Sequence, residues 1–238
     1  MADLWSLDSR QHLQYFFTLL DSRIPFCILR PGDGEYSIII GKELTTIDSW
    51  HFNGKSVLKD DLTKQLHIAS INPNTYIGIP CQGCNRDMMN YFMTTFNMNK
   101  NKTTYANIFC NSNWNVFVNK FKDNNIPFYY IGPKITSTTN ALSIIEHFEV
   151  DPLLVDKWDT EKIALTTLLM TWIHSRSGIF CFSVGPISKI WASQAFETYP
   201  SNTYLDVGSA FDYELKGSSN RVYTVPNSYF SQLDCKFE

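Results

Sequence analysis

The chain has 238 residues, 44% of them hydrophobic and 15% aromatic, which is enough to bury the core of one large domain or of two closely packed lobes. Its net charge of −3 and the lack of a lysine and arginine cluster argue against nucleic acid or an anionic membrane as its main partner. No apolar run approaches the roughly 20 residues of a membrane span, and the first residues show no signal-peptide pattern, so we expect a cytoplasmic protein.

Apolar residues recur with helix and strand periods that alternate along the chain. Predicted helices cover residues 7–21, 57–69, 85–96, 114–121, 139–148, 159–173 and 187–196, with Ser56 and Asp159 as caps of the second and the sixth. Predicted strands cover residues 24–29, 76–80, 105–110, 127–131, 179–184 and 203–207. The sixth helix is too apolar for a surface position. The alternation predicts an α/β fold, with a Rossmann-like, doubly wound, mostly parallel sheet and helices on both faces, in one domain over residues 1–238.

The first predicted strand ends in a charged turn, Arg30-Pro31-Gly32-Asp33-Gly34-Glu35. Open α/β sheets bind ligands at the carboxyl ends of their strands, and Gly32 and Gly34 let a ligand approach the backbone. Asp33 and Glu35 can aim two carboxylates at one cation, for which oxygen ligands favour Mg²⁺ or Mn²⁺ shared with substrate phosphates. Arg30 adds a forked donor for a phosphate. The pattern is equally compatible with an exposed Asp-Gly turn and an arginine salt bridge.

Two later strand ends carry further candidate residues. Ser183, Gly185, Pro186 and Lys189 place a hydroxyl, a glycine, a helix start and a cation together, which is typical of an anion site and also of an ordinary strand-to-helix turn. The segment 205–211, which contains Asp206, superficially looks like the glycine-rich acidic loop of methyltransferases. That loop normally follows the first strand, whereas this segment lies near the end of the chain.

Six cysteines are present, at positions 27, 81, 84, 110, 181 and 235. Three of them lie in apolar, strand-like runs, which favours a reducing compartment. Cys81 and Cys84 form a C-x-x-C, which is compatible with zinc or a redox pair. No second pair or histidine pair follows at ligand spacing, so a structural or incidental role is favoured.

With these three loops the chain resembles the bacterial GT-D glycosyltransferases, once described as a domain of unknown function, whose members add sugars to glycosylated surface proteins. Residues 30–35 are similar to that family's Arg-x-Gly-Asp-Gly-Glu, which holds its Asp-x-Glu metal and nucleotide-sugar motif. Residues 183–192 look like its Gly-Pro loop and the helix that follows. Residues 204–208, followed by Asp212 and Glu214, look like its Asp-Ile-Gly-His segment and the acids after it. The segments occur in the family's order and span residues 26–214.

The resemblance implies a glycosyltransferase domain that uses a nucleotide-diphosphate sugar, most often a UDP-sugar, and a glycan or glycoprotein acceptor. It implies Mn²⁺ or Mg²⁺ at Asp33 and Glu35. The residues expected to contact the substrate are Arg30, Gly32, Asp33, Gly34, Ser183, Gly185, Pro186, Lys189, Asp206 and Ser209. Loop aromatics such as Tyr36, Trp50 and Trp114 are candidates for stacking on a sugar or base, although each also suits core packing.

Two departures from the family pattern matter. Pro31 replaces a common aromatic, and Ser209 replaces a histidine that is a candidate base or phosphate ligand. An inverting transfer needs a base, and Asp212 or Glu214 is expected to supply it, with Asp212 preferred because it lies closer to the strand end. Both acids also fit the description of solvated loop charges. The alternative functions are an S-adenosylmethionine-dependent methyltransferase and a carbohydrate-binding domain that has lost turnover.

Overall fold

The computed structural model describes residues 4–46, 50–139 and 141–237. Its strands are β1 (Cys27–Leu29), β2 (Leu44–Thr45), β3 (His51–Phe52), β4 (Thr75–Ile79), β5 (Thr103–Tyr105), β6 (Phe128–Gly132), β7 (Ile144–Glu149), β8 (Ile179–Phe182) and β9 (Thr203–Asp206). Its helices are α1 (Ser9–Asp21), α2 (Asp33–Ile39), α3 (Leu58–Ile71), α4 (Gln82–Thr95), α5 (Trp114–Asp123), α6 (Leu154–His174), α7 (Ile187–Thr198), α8 (Asp212–Lys216) and α9 (Tyr229–Gln232).

Seven of the strands form one parallel sheet in the order β5-β4-β1-β9-β8-β6-β7, and β2 and β3 form a separate antiparallel hairpin. The chain winds outward from β1 through β4 to β5, then crosses to β6 and fills the other half of the sheet. The last strand, β9, enters between β8 and β1. The winding direction therefore changes at the centre of the sheet, which is where doubly wound folds form their ligand crevice.

Helices cover both faces of the sheet, and adjacent residues of β1 show how. Phe26, just before β1, stacks on Phe16 of α1, whereas the Cys27 thiol faces the Ala192 carbonyl of α7. Successive side chains of a strand point to opposite faces, so α1 and α7 lie on opposite sides. Every residue of β1, β4 and β9 is buried, as expected for the central strands of a parallel sheet, and the residues of the edge strand β5 are buried as well. The predicted α/β fold is confirmed.

The N-terminal helix and most of the later elements are confirmed within a few residues. Asp8 caps α1 by accepting from the Gln11 N–H. The Ser56 hydroxyl, predicted as a cap, accepts from the Leu58 N–H at the start of α3. The strand predicted over residues 105–110 is wrong except at Tyr105, because β5 covers Thr103–Tyr105 and turns follow it. No helix in the described ranges is long and apolar enough to cross a bilayer.

The helix predicted over residues 139–148 is wrong, and residue 140 lies outside the described residues. Residues 144–149 form β7, an edge strand whose one partner among the described strands is β6. Leu142, Ile145 and Phe148 recur every three residues, which imitates helical spacing. An edge strand is covered less completely than a central one, and Ile145 is half exposed, so the alternation that marks a strand is blurred.

The long apolar helix also differs from its prediction. It begins at Leu154, and Asp159 lies within its second turn rather than at its cap. The Asp159 carboxylate instead accepts hydrogen bonds from the Ser56 hydroxyl and the Val57 N–H, so this residue of α6 caps the neighbouring helix α3. The expectation that α6 is too apolar for the surface is wrong, because Ile163 and Leu168 are 75% and 56% exposed.

Candidate functional site

A cleft of about 820 Å³ opens at the carboxyl ends of β1, β8 and β9. The hairpin β2–β3 and the segment after α8 contribute its sides. The predicted site residues that line the cleft are Arg30, Gly32, Asp33, Gly34, Glu35, Ser183, Gly185, Ser209 and Asp212. Four predicted residues do not line it, namely Pro186, Lys189, Asp206 and Glu214. The structure thus brings three sequence-distant loops to one place and separates residues that line the cleft from residues beneath it.

Arg30 lies between β1 and β9 and fixes one strand end to the other. Its N–H donates to Asp206 Oδ2 at 2.9 Å, and its Nε donates to the Asp206 carbonyl. Its Nη1 donates to the Ala106 carbonyl at 3.1 Å. A Cβ on Gly208 would lie 2.6 Å from Arg30 Nη2, so the glycine leaves the space that the guanidinium occupies. Nη2 donates no hydrogen bond to any described residue, and Arg30 lines the cleft.

Lys189 lies beneath the cleft, and its ammonium group is saturated. It pairs with Glu35 Oε1 at 2.8 Å and Asp206 Oδ2 at 3.0 Å, and it donates to the Gly185 carbonyl at 3.2 Å. An ammonium group has three N–H donors, so none is left for a phosphate. The prediction that Lys189 contacts the substrate therefore does not fit this structure. Its role here is to neutralise two buried carboxylates.

Asp206 is fully buried and does not reach the cleft. Its Oδ2 accepts from the Arg30 N–H and from Lys189, and its Oδ1 has no hydrogen-bond partner among the described residues. Substrate contact through Asp206 does not fit this arrangement either. The same burial removes the acidic side chain that a methyltransferase would present to S-adenosylmethionine, so the structure gives that alternative no support.

Glu35 is the fourth member of this buried network, which we call the cleft floor: Arg30, Glu35, Lys189 and Asp206. Burial raises the pKa of Glu35, but the attraction of Lys189 and hydrogen bonds from Lys189 and Gly32 outweigh burial and hold that pKa below its usual value. Burial lowers the pKa of Lys189, and Asp206 and Glu35 raise it above its usual value. Two cations and two anions face one another, so the floor is close to neutral.

The Asp33-Gly34-Glu35 segment is not a free turn, as its glycines suggest, but the first turn of α2. Glu35 occupies the third position of the helix, where its Oε2 accepts from the Gly32 N–H at 2.9 Å. Asp33, at the first position, is exposed and lines the cleft. The helix therefore turns the two carboxylates to different environments, one in solvent and one in the floor.

The loop after β8 approaches the cleft through Ser183, Val184 and Gly185. Ser183 donates to the Gly208 carbonyl at 2.7 Å, and Gly185 adopts a left-handed φ of +53°. The N–H groups of Ile187, Ser188 and Lys189 bond to the carbonyls three residues earlier, and Pro186 has no N–H. The start of α7 therefore offers fewer unpaired donors than the predicted anion site requires, and Ser183 and Gly185 are the parts of this loop that reach the cleft.

The acids predicted as bases are separated by the short helix α8. Asp212 lines the cleft, is nearly buried, and pairs with Lys216 at 3.0 Å. Glu214 turns the other way and pairs with Lys122 of α5 at 2.9 Å. Ser209 lines the cleft, and its hydroxyl lies 2.8 Å from the Tyr223 hydroxyl. Of the two acids, only Asp212 lies where an acceptor could reach it.

Several lining residues escaped the sequence analysis. Lys216 and Arg221 lie at the two ends of a short serine-rich stretch, and both line the cleft. Thr45 and Thr46 enter from the hairpin. Trp50, which the sequence analysis named for stacking, also lines the cleft, and its indole would lie 3.8 Å from a Cβ on Gly34 and 3.4 Å from one on Gly185. A basic residue at each end of a serine-rich stretch after the last strand is the sequence signal for this part of the cleft, and it is a weak one. Tyr36 contacts Tyr91 edge to face, and the Trp114 indole donates to the Ala210 carbonyl, so both serve packing.

The charges of the cleft suit a hard divalent cation at Asp33 better than at Glu35. The described lining residues include four acids, Asp33, Glu35, Asp151 and Asp212, against three bases, Arg30, Lys216 and Arg221. A diphosphate entering this cleft needs added positive charge. Mg²⁺ and Mn²⁺ accept one or two carboxylates together with substrate phosphates, which exposed Asp33 fits. Glu35 does not fit as a direct ligand here, because Lys189 and the Gly32 N–H already bind its two oxygens.

The sheet order, the helices on both faces and a cleft at the change of winding define a doubly wound α/β protein. Three solved structures share this fold. A domain of unknown function 1792 has 13% identity and a TM-score of 0.59, covering 99% of this chain and 91% of that one. A second structure of that domain, described as having a distinct glycosyltransferase fold, has 12% identity and a TM-score of 0.57, covering 99% and 92%. A third, described as a new glycosyltransferase (DUF1792) from Streptococcus sanguinis, has 14% identity and a TM-score of 0.57, covering 98% and 93%.

The chain therefore has the glycosyltransferase fold of the DUF1792 domains, as the resemblance predicted. No family model matches the sequence, and no curated protein matches it. The likeness is carried by the architecture, since the identities of 12–14% lie far below what sequence comparison needs.

Proposed function

We propose that this protein is a glycosyltransferase that moves a sugar from a nucleotide-diphosphate donor, with a UDP-sugar favoured, to a glycan or glycoprotein acceptor. The observation that carries the proposal is the cleft itself. Arg30, Asp33, Ser183, Gly185 and Asp212 come from three segments spread over the chain, and they line one space at the switch point of a glycosyltransferase fold.

The donor diphosphate is placed between the β1 loop and the β8 loop. Asp33 would hold Mn²⁺ or Mg²⁺ together with the phosphate oxygens, and the ion would supply charge that offsets the negative charge of the leaving diphosphate. Arg30 and Ser183 both line this space. Arg30 Nη2 can donate to a phosphate oxygen, whereas the Ser183 hydroxyl already donates its proton to the Gly208 carbonyl. Arg221 and Lys216 add positive charge on the opposite side of the cleft.

The acceptor is placed at the Asp212 side. A carboxylate at the surface of the cleft can take the proton of an acceptor hydroxyl as the new bond forms. Lys216, paired with Asp212, orients that carboxylate. The hairpin β2–β3 with Trp50 covers the donor from the side, and its threonines offer hydroxyls for a sugar.

The test is isothermal titration of the full chain with UDP, GDP and S-adenosylmethionine, each with and without Mn²⁺, followed by an assay of UDP-sugar hydrolysis. We expect a nucleoside diphosphate to bind in the presence of Mn²⁺ and to lose most of that affinity in a chelator. Binding of S-adenosylmethionine alone would overturn the proposal in favour of a methyltransferase. Diphosphate or sugar binding with no hydrolysis or transfer from any donor would leave a binding domain instead.

A further inference from the structure

A cluster of three thiols lies outside the cleft, where α4 meets the C-terminal segment. Cys81 caps α4, Cys84 lies in its first turn, and Cys235 belongs to the segment 233–237 that follows α9. The Sγ atoms of all three lie within 4.8 Å of one another, and those of Cys84 and Cys235 are 3.5 Å apart. The C-x-x-C therefore has a third partner, which is 151 residues away in sequence and invisible to any spacing rule.

The thiol spacing matches that of ligands around one metal ion. Zinc binds thiolate sulfur at about 2.3 Å, so two sulfurs of a tetrahedral site lie roughly 3.8 Å apart. A disulfide needs sulfurs at about 2.05 Å, and it would use two of the three thiols and leave the third unpaired. All six cysteines are free in this structure. A shared ion therefore explains the three neighbouring sulfurs better than a disulfide does.

A hydrogen-bond donor already faces the thiol cluster. The Asn107 side-chain amide donates to Cys235 Sγ at 2.9 Å. Metal-bound sulfur is commonly supported by such donors, which orient the ligand and offset its charge.

The C-terminal segment is held in place by contacts other than the thiols. Phe237 stacks between Trp5 and Tyr105, each at 4.2 Å between ring centroids. The Ser9 N–H donates to the Cys235 carbonyl at 2.9 Å, and the Cys235 N–H donates to the Ser9 hydroxyl at 3.2 Å. These contacts hold Cys235 beside Cys81 and Cys84 without a bound ion, so ion binding requires little further ordering of the C-terminal segment. Cys84 is exposed, which gives an ion an entry path and leaves a position open to solvent.

We propose that Cys81, Cys84 and Cys235 bind one Zn²⁺ or an ion of similar softness, which fastens the C-terminal segment to α4. Binding releases the thiol protons to solvent, forms three metal–sulfur bonds and involves no oxidation or reduction. The fourth position is filled by water on the Cys84 side. This site is independent of the cleft, because soft thiolates prefer Zn²⁺ whereas exposed carboxylates prefer Mg²⁺ and Mn²⁺.

The experiment uses the full chain, freed of metal with a chelator and kept reduced with a phosphine. It is titrated with Co²⁺, as an absorbing probe, and with Zn²⁺ in competition with a chromophoric chelator. We expect a thiolate-to-cobalt charge-transfer band, and about one Zn²⁺ per chain displacing the Co²⁺. Zn²⁺ should also protect three thiols from alkylation and raise the melting temperature by roughly 5–10 °C.

Variants separate the cluster from the other thiols. Cys235→Ser and Cys84→Ser should weaken Zn²⁺ binding by about 100-fold or more, and Asn107→Leu by about 10-fold. Cys181→Ala, which removes a buried thiol of β8, is the matched control and should bind Zn²⁺ like the wild type. Cys84 is exposed, so Cys84→Ser keeps the test informative if Cys235→Ser does not fold. Absence of the cobalt band, or equal loss of Zn²⁺ in Cys181→Ala, would overturn the proposal.

Discussion

The floor and the rim of the cleft are built from neighbouring residues but differ in burial and in the pairing of their charges. The floor, Arg30, Glu35, Lys189 and Asp206, is at most 9% exposed, and its charges are paired. The rim is the more exposed part of the lining and includes Asp33, Lys216 and Arg221. Asp33 and Glu35 are two residues apart and fall on different sides of this division. The same short motif therefore supplies one residue that holds the strands together and one that is free to meet a ligand.

Removing the cation of the floor should have the largest effect. Lys189→Met leaves Glu35 and Asp206 buried without their partner, and breaking a buried pair lowers the free energy of unfolding by about 3–5 kcal/mol. Urea unfolding followed by fluorescence measures it. Lys157→Met, which removes the partner of Asp151 at the surface, is the matched control and should leave the midpoint unchanged within error. Equal midpoints for both variants would show that the floor carries no special stability.

The next effect separates the two carboxylates of the motif. Asp33→Asn should lower kcat/KM by a few hundred-fold, about 3.5 kcal/mol, because the cation loses its protein ligand, with the melting temperature nearly unchanged. From the sequence the same result is expected of Glu35→Gln. From the structure, Glu35→Gln should instead lower the melting temperature, since Lys189 loses one of its anions. Donor turnover and thermal unfolding of both variants decide it, and identical profiles would restore the shared metal site.

The two candidate bases differ in the same way. Asp212→Asn should lower kcat by about 100-fold, near 2.7 kcal/mol, while the donor dissociation constant holds. Glu214→Gln is its matched control, because that carboxylate pairs with Lys122 away from the cleft, and it should turn over like the wild type. Steady-state rates and donor titrations measure both. Near wild-type rates for both variants would place the base elsewhere or indicate a retaining reaction.

The smallest expected effect is a change in the stability contributed by Glu35 at low pH. The pKa of Glu35 is held below its usual value, so its contribution to stability is complete above the unfolded value of about 4.3 and is lost as the pH falls through the folded value. The difference in melting temperature between the wild type and Glu35→Gln should therefore shrink below about pH 4.3. Thermal scans between neutral and acid pH test this. A difference that stays constant down to pH 3 would contradict the pairing with Lys189.

The sequence predicted the sheet and the place of the cleft because buried central strands are continuous apolar runs that end in glycines and charges. Residues 24–29, 179–184 and 203–207 were recognisable for that reason. It could not reveal which charged residues pair with each other, since the partners of Lys189 lie at positions 35 and 206. The helical state of Asp33 was hidden by its flanking glycines, which weaken local propensity although Glu35 caps the turn. The edge strand β7 was missed because half of its pattern faces solvent.

The position of β9 has a consequence for how the protein is made. Strands β1, β4 and β5 belong to the first half of the chain and β6, β7 and β8 to the second, and β9 is the strand that joins them. Until residues 203–206 leave the ribosome, β1 and β8 each keep an unpaired edge, and such edges favour association between chains. Arg30 also waits for its partner Asp206 over a separation of 176 residues. Nascent chains that stall before β9 should therefore depend on chaperones, whereas completed chains should not.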